Sequence, residues 1–358
     1  MKIKIFTFFY GNNYGALLQS LFLKTFLKNN FKCVVDFDNY QPKKFLYRED
    51  IKPIVKKNIF RSLEAIKRFY KIRKWKKKHI KTFPVTDLKN HTIDKSKYLS
   101  IYGSDEIWNF QNPFFGYEPH FFGYKNTGFK LSYAASFGTS ASSEISGYLF
   151  EELNTFLQNF KFISVRDLSS CNFLKKNFNI NAEIVLDPIF LIDNEFNLFL
   201  EEKNRIVSEN YCLIYGQFFS KNEINIIINI CKIKKLKLVS IGYYNNWVDL
   251  NLTEIDPSDF LNIFKYADNI FTSMFHGVLF SVKYNKPFWF TNDPYRKNKL
   301  DYFIDTMKIK DRMISQNISI DDKIDYISIN IELEKQKKMS KKFINNCVKY
   351  FLRNENKY

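Results

Sequence analysis

The segment "KIKIFTFFYGNNYGALLQSLFLKTFLKNNFKCVVDFDNY", residues 2–40, decides the fold class. It opens with an apolar run over 2–9 that has the length and composition of a strand, and Gly and Asn residues then break the run. A second β-prone run covers 32–40. Between the two runs, large apolar residues recur at helical spacing (Leu17, Leu18, Leu21, Phe22 and Phe26). The order strand, helix, strand predicts a βαβ unit, which builds a parallel sheet.

Strand and helix patterns alternate along the rest of the chain, and a polar stretch at 201–209 separates two such series. We therefore predict an α/β protein with two Rossmann-like, doubly wound domains that face a cleft. The N-terminal domain is expected at 1–200 and the C-terminal domain at 208–330. A basic helix is expected at 334–358, where it would pack back on the N-terminal domain.

The chain is strongly basic, with 55 Lys and Arg against 37 Asp and Glu and a formal net charge of +18. Residues 66–81 hold nine Lys or Arg and no acid, which predicts a basic helix within an insertion at 43–82 of the N-terminal domain. Its expected apolar edge comprises Leu63, Ile66, Phe69, Tyr70 and Trp75. The basic face of this helix is either simply solvated or a surface that binds the anionic headgroups of a membrane. No nucleic-acid-binding module accompanies it, so nucleic acid is not an expected partner.

The five cysteines form no CxxC pair, which argues against a disulfide framework or a zinc ribbon. The first 20 residues lack the apolar core and cleavage site of a signal peptide. No apolar run approaches the roughly 20 residues that a spanning helix requires. A cytoplasmic protein is expected, with peripheral contact at the inner face of the membrane.

Ligands of doubly wound folds bind where parallel strands end. One such end is "GSDEIWN", residues 103–109, which follows the strand-like "YLSIY". Adjacent carboxylates are not expected to point the same way, so Asp105, rather than a pair with Glu106, is the candidate general base. Ser104 is expected to cap the following turn and Trp108 to pack beneath it. The alternative is that Asp105 is itself a structural cap.

Three further strand ends carry candidate groups. "SVRD" places Arg166 where its guanidinium could hold a carboxylate or phosphate, unless it forms a structural pair with Asp167. "TSMFHG" places His276 at a strand–helix turn, as an acid or phosphate ligand or as a packed residue. His79, His91 and His120 carry no comparable signal. A possible anion-binding or acceptor loop, which could equally be a structural turn, comprises Asn13, Tyr14 and Gly15 together with Gly103 and Ser104.

Six segments in this chain occur in the same order as in the polysaccharide pyruvyl transferase family, which the sequence resembles over roughly residues 5–295. They are "NYGALLQ", "GSDEIWN", "SYAASFG", "ISVRD", "VLDPIFLI" and "SMFHGVLFSVKYNKPF". The resemblance implies a GT-B-like fold and transfer of the enolpyruvyl group of phosphoenolpyruvate onto a sugar as a cyclic ketal. The acceptor would be a cell-surface polysaccharide or its lipid-linked precursor. Phosphoenolpyruvate would be a co-substrate, and neither a cofactor nor a metal is implied.

The resemblance also implies roles for individual residues. Arg166 and His276 would hold the donor, with Ser273, Phe275 and Gly277 around the histidine, and Asp105 would be the base. Some family members have an Arg where this chain has Met274, so a second cation would come from elsewhere. The candidates for that cation are Lys283 and Arg296.

Two other functions compete with pyruvyl transfer. One is a GT-B glycosyltransferase that uses a nucleotide-sugar, with Asp293 or Asp301 as a weak ribose ligand. The other is a non-catalytic basic adaptor at the membrane surface.

Overall fold

The computed structural model describes residues 1–47, 52, 55, 59–82, 98–194, 204–291, 294–315, 318 and 323–354, with side chains except at 46, 60 and 294–299. The candidate ribose ligand Asp293, the side chain of the candidate cation Arg296, and His91, which carried no signal, lie outside these described parts. The chain divides into two compact units. The first unit comprises Met1–Ile51, His79–Asp193 and Glu334–Tyr358, and the second comprises Lys52–Lys78 and Asn194–Leu333.

A parallel four-stranded sheet in the order β2-β1-β3-β4 forms the centre of the first unit. A short parallel pair, β5-β6, continues the pattern through single bridges from Leu131 to Phe162 and from Ala135 to Val165. The strands are β1 (Lys2–Phe6), β2 (Val34–Phe37), β3 (Leu99–Tyr102), β4 (Lys130–Ser132), β5 (Ser164–Val165) and β6 (Glu183–Ile184). The helices around them are α1 (Tyr14–Phe31), α2 (Lys43–Leu46), α4 (Gly147–Gln158) and α5 (Leu168–Phe178), and α3 is described with the second unit below.

Local sequence fixes both ends of α1. The Asn13 side chain accepts hydrogen bonds from the backbone N–H groups of Gly15 and Ala16, and Lys32 ends the helix in the left-handed conformation. The five apolar residues expected on the buried face of α1 are all buried, and so are Gln19 and Ser20. The predicted βαβ unit is therefore present, with α1 enclosed on most of its circumference.

The second unit has a parallel five-stranded sheet in the order β11-β10-β7-β8-β9. Its core includes Cys212, Ile227 and Trp289. The strands are β7 (Tyr211–Tyr215), β8 (Lys237–Ile241), β9 (Leu250–Leu252), β10 (Asn269–Thr272) and β11 (Phe288–Phe290). The helices are α6 (Lys221–Ile233), α7 (Pro257–Tyr266), α8 (Phe275–Lys283) and α9 (Pro294–Met307), and α10 (Tyr326–Asn354) runs from this unit into the first.

The basic helix α3 (Ile59–His79) belongs almost entirely to the second unit, whereas the sequence predicted it within the N-terminal domain. The indole Nε1 of Trp75 donates to Oγ of Ser258 at 2.8 Å, and the Arg68 guanidinium donates to the Gly242 carbonyl at 2.7 Å. These contacts bury the face of α3 that carries Ile72 and Trp75. Leu63 and Tyr70, predicted on the apolar edge, instead lie on the exposed side because they are half a turn away.

The C-terminal part of α10 packs on the first unit. The Ser340 hydroxyl accepts a hydrogen bond from the Leu186 backbone N–H at 2.9 Å, and the rings of Phe351 and Phe129 lie 5.3 Å apart. Lys337 forms an ion pair with Asp193 at 2.6 Å. In the ranges that the structure describes, no helix is both long and apolar enough to cross a membrane.

Candidate functional site

The loop that follows β3 is held by a buried hydrogen-bond network. The Thr7 hydroxyl donates to the Ser104 carbonyl at 2.8 Å, and the Gln19 amide donates to the Thr7 oxygen at 3.1 Å. The Ser104 hydroxyl in turn donates to the Gln19 side-chain oxygen, so it does not cap the next turn as the sequence predicted. Gly103 has φ +118°, and a Cβ there would lie 2.2 Å from the Tyr133 carbonyl oxygen, so only glycine fits.

Asp105 and Glu106 both reach the same guanidinium. Nη2 of Arg166 lies 3.2 Å from Oδ1 of Asp105 and 3.9 Å from Oε1 of Glu106. The expectation that the two adjacent carboxylates diverge is therefore wrong. Asp105 has φ +82°, a left-handed conformation that alters the direction of the chain between the two side chains.

Arg166 lies among acids rather than beside an open anion site. Its Nη1 is 3.5 Å from Oδ2 of Asp187, and its side chain is only 2 % exposed. Burial opposes the charged form, but Asp105, Asp187, Glu106 and Asp167 together raise the pKa of Arg166 above its ordinary value. The guanidinium is therefore permanently charged, and its two Nη groups face carboxylates of the protein. This geometry favours a role in orienting Asp105 over direct contact with a donor.

Asp167, the neighbour of Arg166, has a separate structural role. Its carboxylate caps α5 by accepting from the Ser170 backbone N–H at 2.7 Å. Burial raises the pKa of Asp167, although hydrogen bonds from Ser136 and Ser170 and the Arg166 charge oppose the rise. The alternative of a simple Arg166–Asp167 pair is therefore replaced by a larger cluster centred on Arg166.

The first turn of α1 does not present free donors to an anion. Oδ1 of Asn13 lies 2.9 Å from the Gly15 nitrogen and 3.3 Å from the Ala16 nitrogen, so the Asn13 side chain already accepts from both. Tyr14 is 1 % exposed and packs into the core. The geometry supports the structural interpretation of this loop, with Asn13 as the N-cap, rather than an anion-binding one.

His276 is the second residue of α8, directly after β10, and is largely buried. Close backbone packing fixes this turn: a Cβ at Gly277 would lie 2.0 Å from Oγ1 of Thr272, and one at Gly216 would lie 2.1 Å from Oγ of Ser273. The Ser273 hydroxyl donates to the Gln217 carbonyl at 2.6 Å. Met274 is the N-cap residue, and its thioether is not a capping acceptor. Within this turn, the backbone N–H groups of Gly277 and Val278 already donate to the Met274 carbonyl, at 2.9 and 3.3 Å.

Lys283 does not replace the arginine that some family members have at the position of Met274. It is the last residue of α8, seven positions beyond His276. At 1.5 Å per residue, the two lie about 10 Å apart along the helix axis. Asp301, the described candidate for a ribose ligand, lies within α9 rather than at a strand end.

Sequence reasoning missed a group of polar residues at the end of β2, where Asp36 and Asp38 form an Asp-x-Asp pattern. Asp36 pairs with Lys24 at 2.8 Å, whereas Asp38 binds Nε2 of His120 at 2.8 Å and lies 3.5 Å from Nζ of Lys4. His120 carried no signal in the sequence, yet it is part of this ion-pair network. The Asp-x-Asp pattern at the end of β2 is the sequence signal that could have identified this network.

Comparisons with solved structures support the fold. S. aureus MnaA in complex with UDP is 14 % identical, with a TM-score of 0.50 over 98 % of this chain and 97 % of that one. A putative UDP-N-acetylglucosamine 2-epimerase from Listeria monocytogenes is 12 % identical, with a TM-score of 0.48 over 95 % and 90 %. The E. coli heptosyltransferase WaaC with ADP is 8 % identical, with a TM-score of 0.38 over 84 % and 89 %. The predicted α/β class with two parallel sheets is confirmed, and the similarity to S. aureus MnaA supports the GT-B-like fold.

A family model matches most of the chain. A comparison with curated proteins found no match to the chain. The model of the polysaccharide pyruvyl transferases matches residues 13–294, a range that includes the Arg166 cluster and the turn at His276. The chain therefore belongs to the polysaccharide pyruvyl transferase family, which is a family of transferases.

Proposed function

We propose that this protein transfers the enolpyruvyl group of phosphoenolpyruvate onto a sugar of a cell-surface polysaccharide or of its lipid-linked precursor. The observation that carries the proposal is the carboxylate of Asp105, held by Arg166 in the family-matched loop at a strand end. A carboxylate fixed in this position suits removal of a proton from a sugar hydroxyl.

The reaction balances without a cofactor, with phosphoenolpyruvate as co-substrate. C3 of the donor gains a proton, which makes C2 electrophilic, and one sugar hydroxyl oxygen bonds to C2. The C2–O bond to phosphate then breaks, and a second hydroxyl closes the ketal. The two hydroxyls together release two protons. One offsets the proton that C3 gains when it becomes a methyl group, and the released phosphate takes up the other.

For the donor, we propose contact between its phosphate and the turn at His276. The backbone N–H groups at the start of α8 carry partial positive charge and favour an anion. His276 would donate a hydrogen bond or a proton to the phosphate, while Phe275, Gly277 and Ser273 shape the turn. Arg166 is proposed to orient Asp105 instead of binding the donor, because its N–H groups face carboxylates.

Phosphoenolpyruvate is expected to stabilise the protein. A ligand at about 100 times its Kd raises the free energy of unfolding by about 2.7 kcal/mol. Replacing His276 with Ala should weaken this binding by about 10–100-fold, because a hydrogen bond to a charged group is lost. Thermal shift with increasing phosphoenolpyruvate measures both effects, and His79→Ala is the matched control.

The same assay separates the competing functions. Stabilisation by UDP-N-acetylglucosamine but not by phosphoenolpyruvate would contradict the proposal and favour a nucleotide-sugar glycosyltransferase. Phosphate release from phosphoenolpyruvate in the presence of candidate glycans tests turnover directly. An equal response of His276→Ala and wild type would remove His276 from the donor site.

We also propose peripheral contact with an anionic membrane through the exposed face of α3. Opposite the buried Ile72 and Trp75, this face combines apolar side chains with lysines. Ile59, Leu63 and Tyr70 are 71 %, 50 % and 64 % exposed. Helical spacing places them on one side together with exposed lysines (Lys67, Lys71, Lys74, Lys77 and Lys78). Apolar groups flanked by cations are typical of helices that lie in a membrane interface.

The triple variant Lys71→Gln/Lys74→Gln/Lys78→Gln should bind anionic vesicles about 100-fold more weakly, since each lysine near such a surface contributes about 1 kcal/mol. Cosedimentation with phosphatidylglycerol vesicles measures this change, with phosphatidylcholine vesicles as the uncharged reference. The control removes the same charge from α10 (Lys335→Gln/Lys338→Gln/Lys342→Gln). Equal losses in both variants would mean that net charge, not α3, drives binding. Vesicle binding without phosphate release would favour the non-catalytic adaptor.

A further inference from the structure

An Asp–His pair occupies the carboxyl end of β2 in the first unit, apart from the Arg166 cluster. Asp38 follows the last residue of β2 and lies 2.8 Å from Nε2 of His120. The Tyr40 ring packs on the imidazole with centroids 4.0 Å apart, and the Tyr40 hydroxyl donates to Glu118. The proposed transfer chemistry uses none of these four side chains.

Asp38 holds the ring of His120 in place. Burial raises the pKa of Asp38, but the hydrogen bond and charge of His120 and the charge of Lys4 outweigh it, so the net shift is downward. Asp38 also accepts from the Tyr40 backbone N–H at 3.1 Å. The Asp38 carboxylate accepts from Nε2–H of His120, so Nδ1 is the ring nitrogen left for a ligand; it accepts a hydrogen bond in a neutral imidazole and donates one in a protonated imidazole.

Nδ1 of His120 is not fully enclosed by the protein. Among the described residues, the polar contact of this imidazole is made through Nε2, and Nδ1 is not one of the enclosed, unsatisfied polar atoms. Glu118 likewise has one atom held by the protein and one that is not enclosed: one carboxylate oxygen accepts from the Tyr40 hydroxyl, and the other is not fully buried. Asn39 and Gln41, which contact each other at 3.3 Å, add partly exposed amides to the same segment.

These groups suit a ligand with many hydroxyls. A sugar hydroxyl can donate to Nδ1 or to a carboxylate oxygen and accept from an amide N–H. Aromatic side chains such as Tyr40 offer an apolar body beside a polar tip, which suits a ligand with both apolar and polar faces. A phosphorylated ligand is disfavoured because Asp38 and Glu118 are both acidic.

The location also suits an acceptor. The sheet order β2-β1-β3-β4 places one strand between the end of β2, at Asp38, and the end of β3, before Asp105. With strands about 4.8 Å apart, the two strand ends are about 10 Å from each other on the same edge of the sheet.

We propose that His120, Glu118 and Tyr40, fixed by Asp38, form a binding subsite for the acceptor saccharide. This inference rests on the proposed pyruvyl transfer, which requires a sugar acceptor near Asp105. The outer oxygen of Glu118 accepts a hydrogen bond from a sugar hydroxyl, Nδ1 of His120 forms a hydrogen bond with another hydroxyl, and Tyr40 holds both side chains in place.

Saturation-transfer NMR without phosphoenolpyruvate tests the subsite, with methyl glycosides of glucose, galactose, mannose and N-acetylglucosamine as probes. His120→Gln keeps an N–H for Asp38 but places no nitrogen at the Nδ1 position, and Glu118→Gln removes the charge but keeps the volume. We expect at least one probe to bind, with a Kd raised about tenfold in each variant through loss of one hydrogen bond. The control Tyr148→Phe, at an exposed tyrosine that contacts Glu152, should bind as wild type does.

Absence of binding by every probe, or equal binding by wild type, His120→Gln and Glu118→Gln, would overturn the proposal. Should His120→Gln fail to fold, Glu118→Gln alone decides the question, because Glu118 is only partly buried. The assay contains no donor, so its failure is distinct from a failure of the proposed transfer, which the response to phosphoenolpyruvate reports.

Discussion

Asp105→Asn is expected to lower the rate of pyruvyl transfer by about 10²–10⁴-fold, the usual contribution of a general base. Asn keeps the size of Asp105 and an oxygen that can accept from Arg166 and from the Glu106 backbone N–H, which lies 2.9 Å away. The loop should therefore retain its shape while the proton acceptor is lost. Phosphate release at saturating phosphoenolpyruvate and acceptor measures the change in kcat.

Glu106→Gln is the matched control for this prediction. Glu106 is the adjacent carboxylate on the same guanidinium, but it lies farther away, at 3.9 Å, and its second oxygen accepts from the Asn109 amide. The same change of charge at this position should cost less than tenfold in rate. A larger loss in Glu106→Gln than in Asp105→Asn would assign the base to Glu106, and equal losses would indicate that the charge of the cluster matters rather than one base.

The fold was predictable where local signals agree with tertiary contacts. The sequence pattern predicts a strand over 160–167 and a helix over 168–178. Helix α5 has the predicted bounds, Leu168–Phe178, because Asp167 caps its first turn and Asn179 ends it in the left-handed conformation. The run over 160–167 read as one strand, but its regular part is only Ser164–Val165. There, the Phe160 N–H bonds back to the Leu157 carbonyl at the end of α4. At the other end, the Arg166 backbone N–H still bonds to the Ala135 carbonyl at 3.2 Å while its side chain reaches the acids. Neither constraint is visible in local periodicity.

The candidate site was predictable as a set of positions but not as a set of contacts. The rule that ligands bind at strand ends selected Asp105, Arg166 and His276. It did not show that Arg166 lies among three carboxylates, because Asp105 and Arg166 are 61 residues apart. His120 was missed for the same reason, since its partner Asp38 is 82 residues away and follows a different strand. Pairings over such distances depend on strand order, which a single sequence does not specify.

Arg166→Met is expected to lower the free energy of unfolding by about 3–5 kcal/mol, the cost of removing one partner from a buried ion pair. Asp105, Glu106 and Asp187 would remain together without their cation, and Asp187 is almost fully buried. Urea denaturation should show a lower midpoint with little change in slope for the transition of the first unit. The control Arg205→Met removes a partly exposed pair with Asp268 in the second unit, where the loss should be below about 1 kcal/mol.

Arg166→Lys separates orientation of Asp105 from binding of the donor. A lysine keeps the positive charge but cannot direct two pairs of N–H groups at Asp105 and Asp187. If Arg166 orients Asp105, this variant should bind phosphoenolpyruvate as wild type does, while kcat falls with a smaller loss of stability than in Arg166→Met. Loss of phosphoenolpyruvate binding in a stable Arg166→Lys protein would instead support the donor contact that the family resemblance implies. Wild-type stability in Arg166→Met would also count against orientation, because the three carboxylates would then not depend on Arg166.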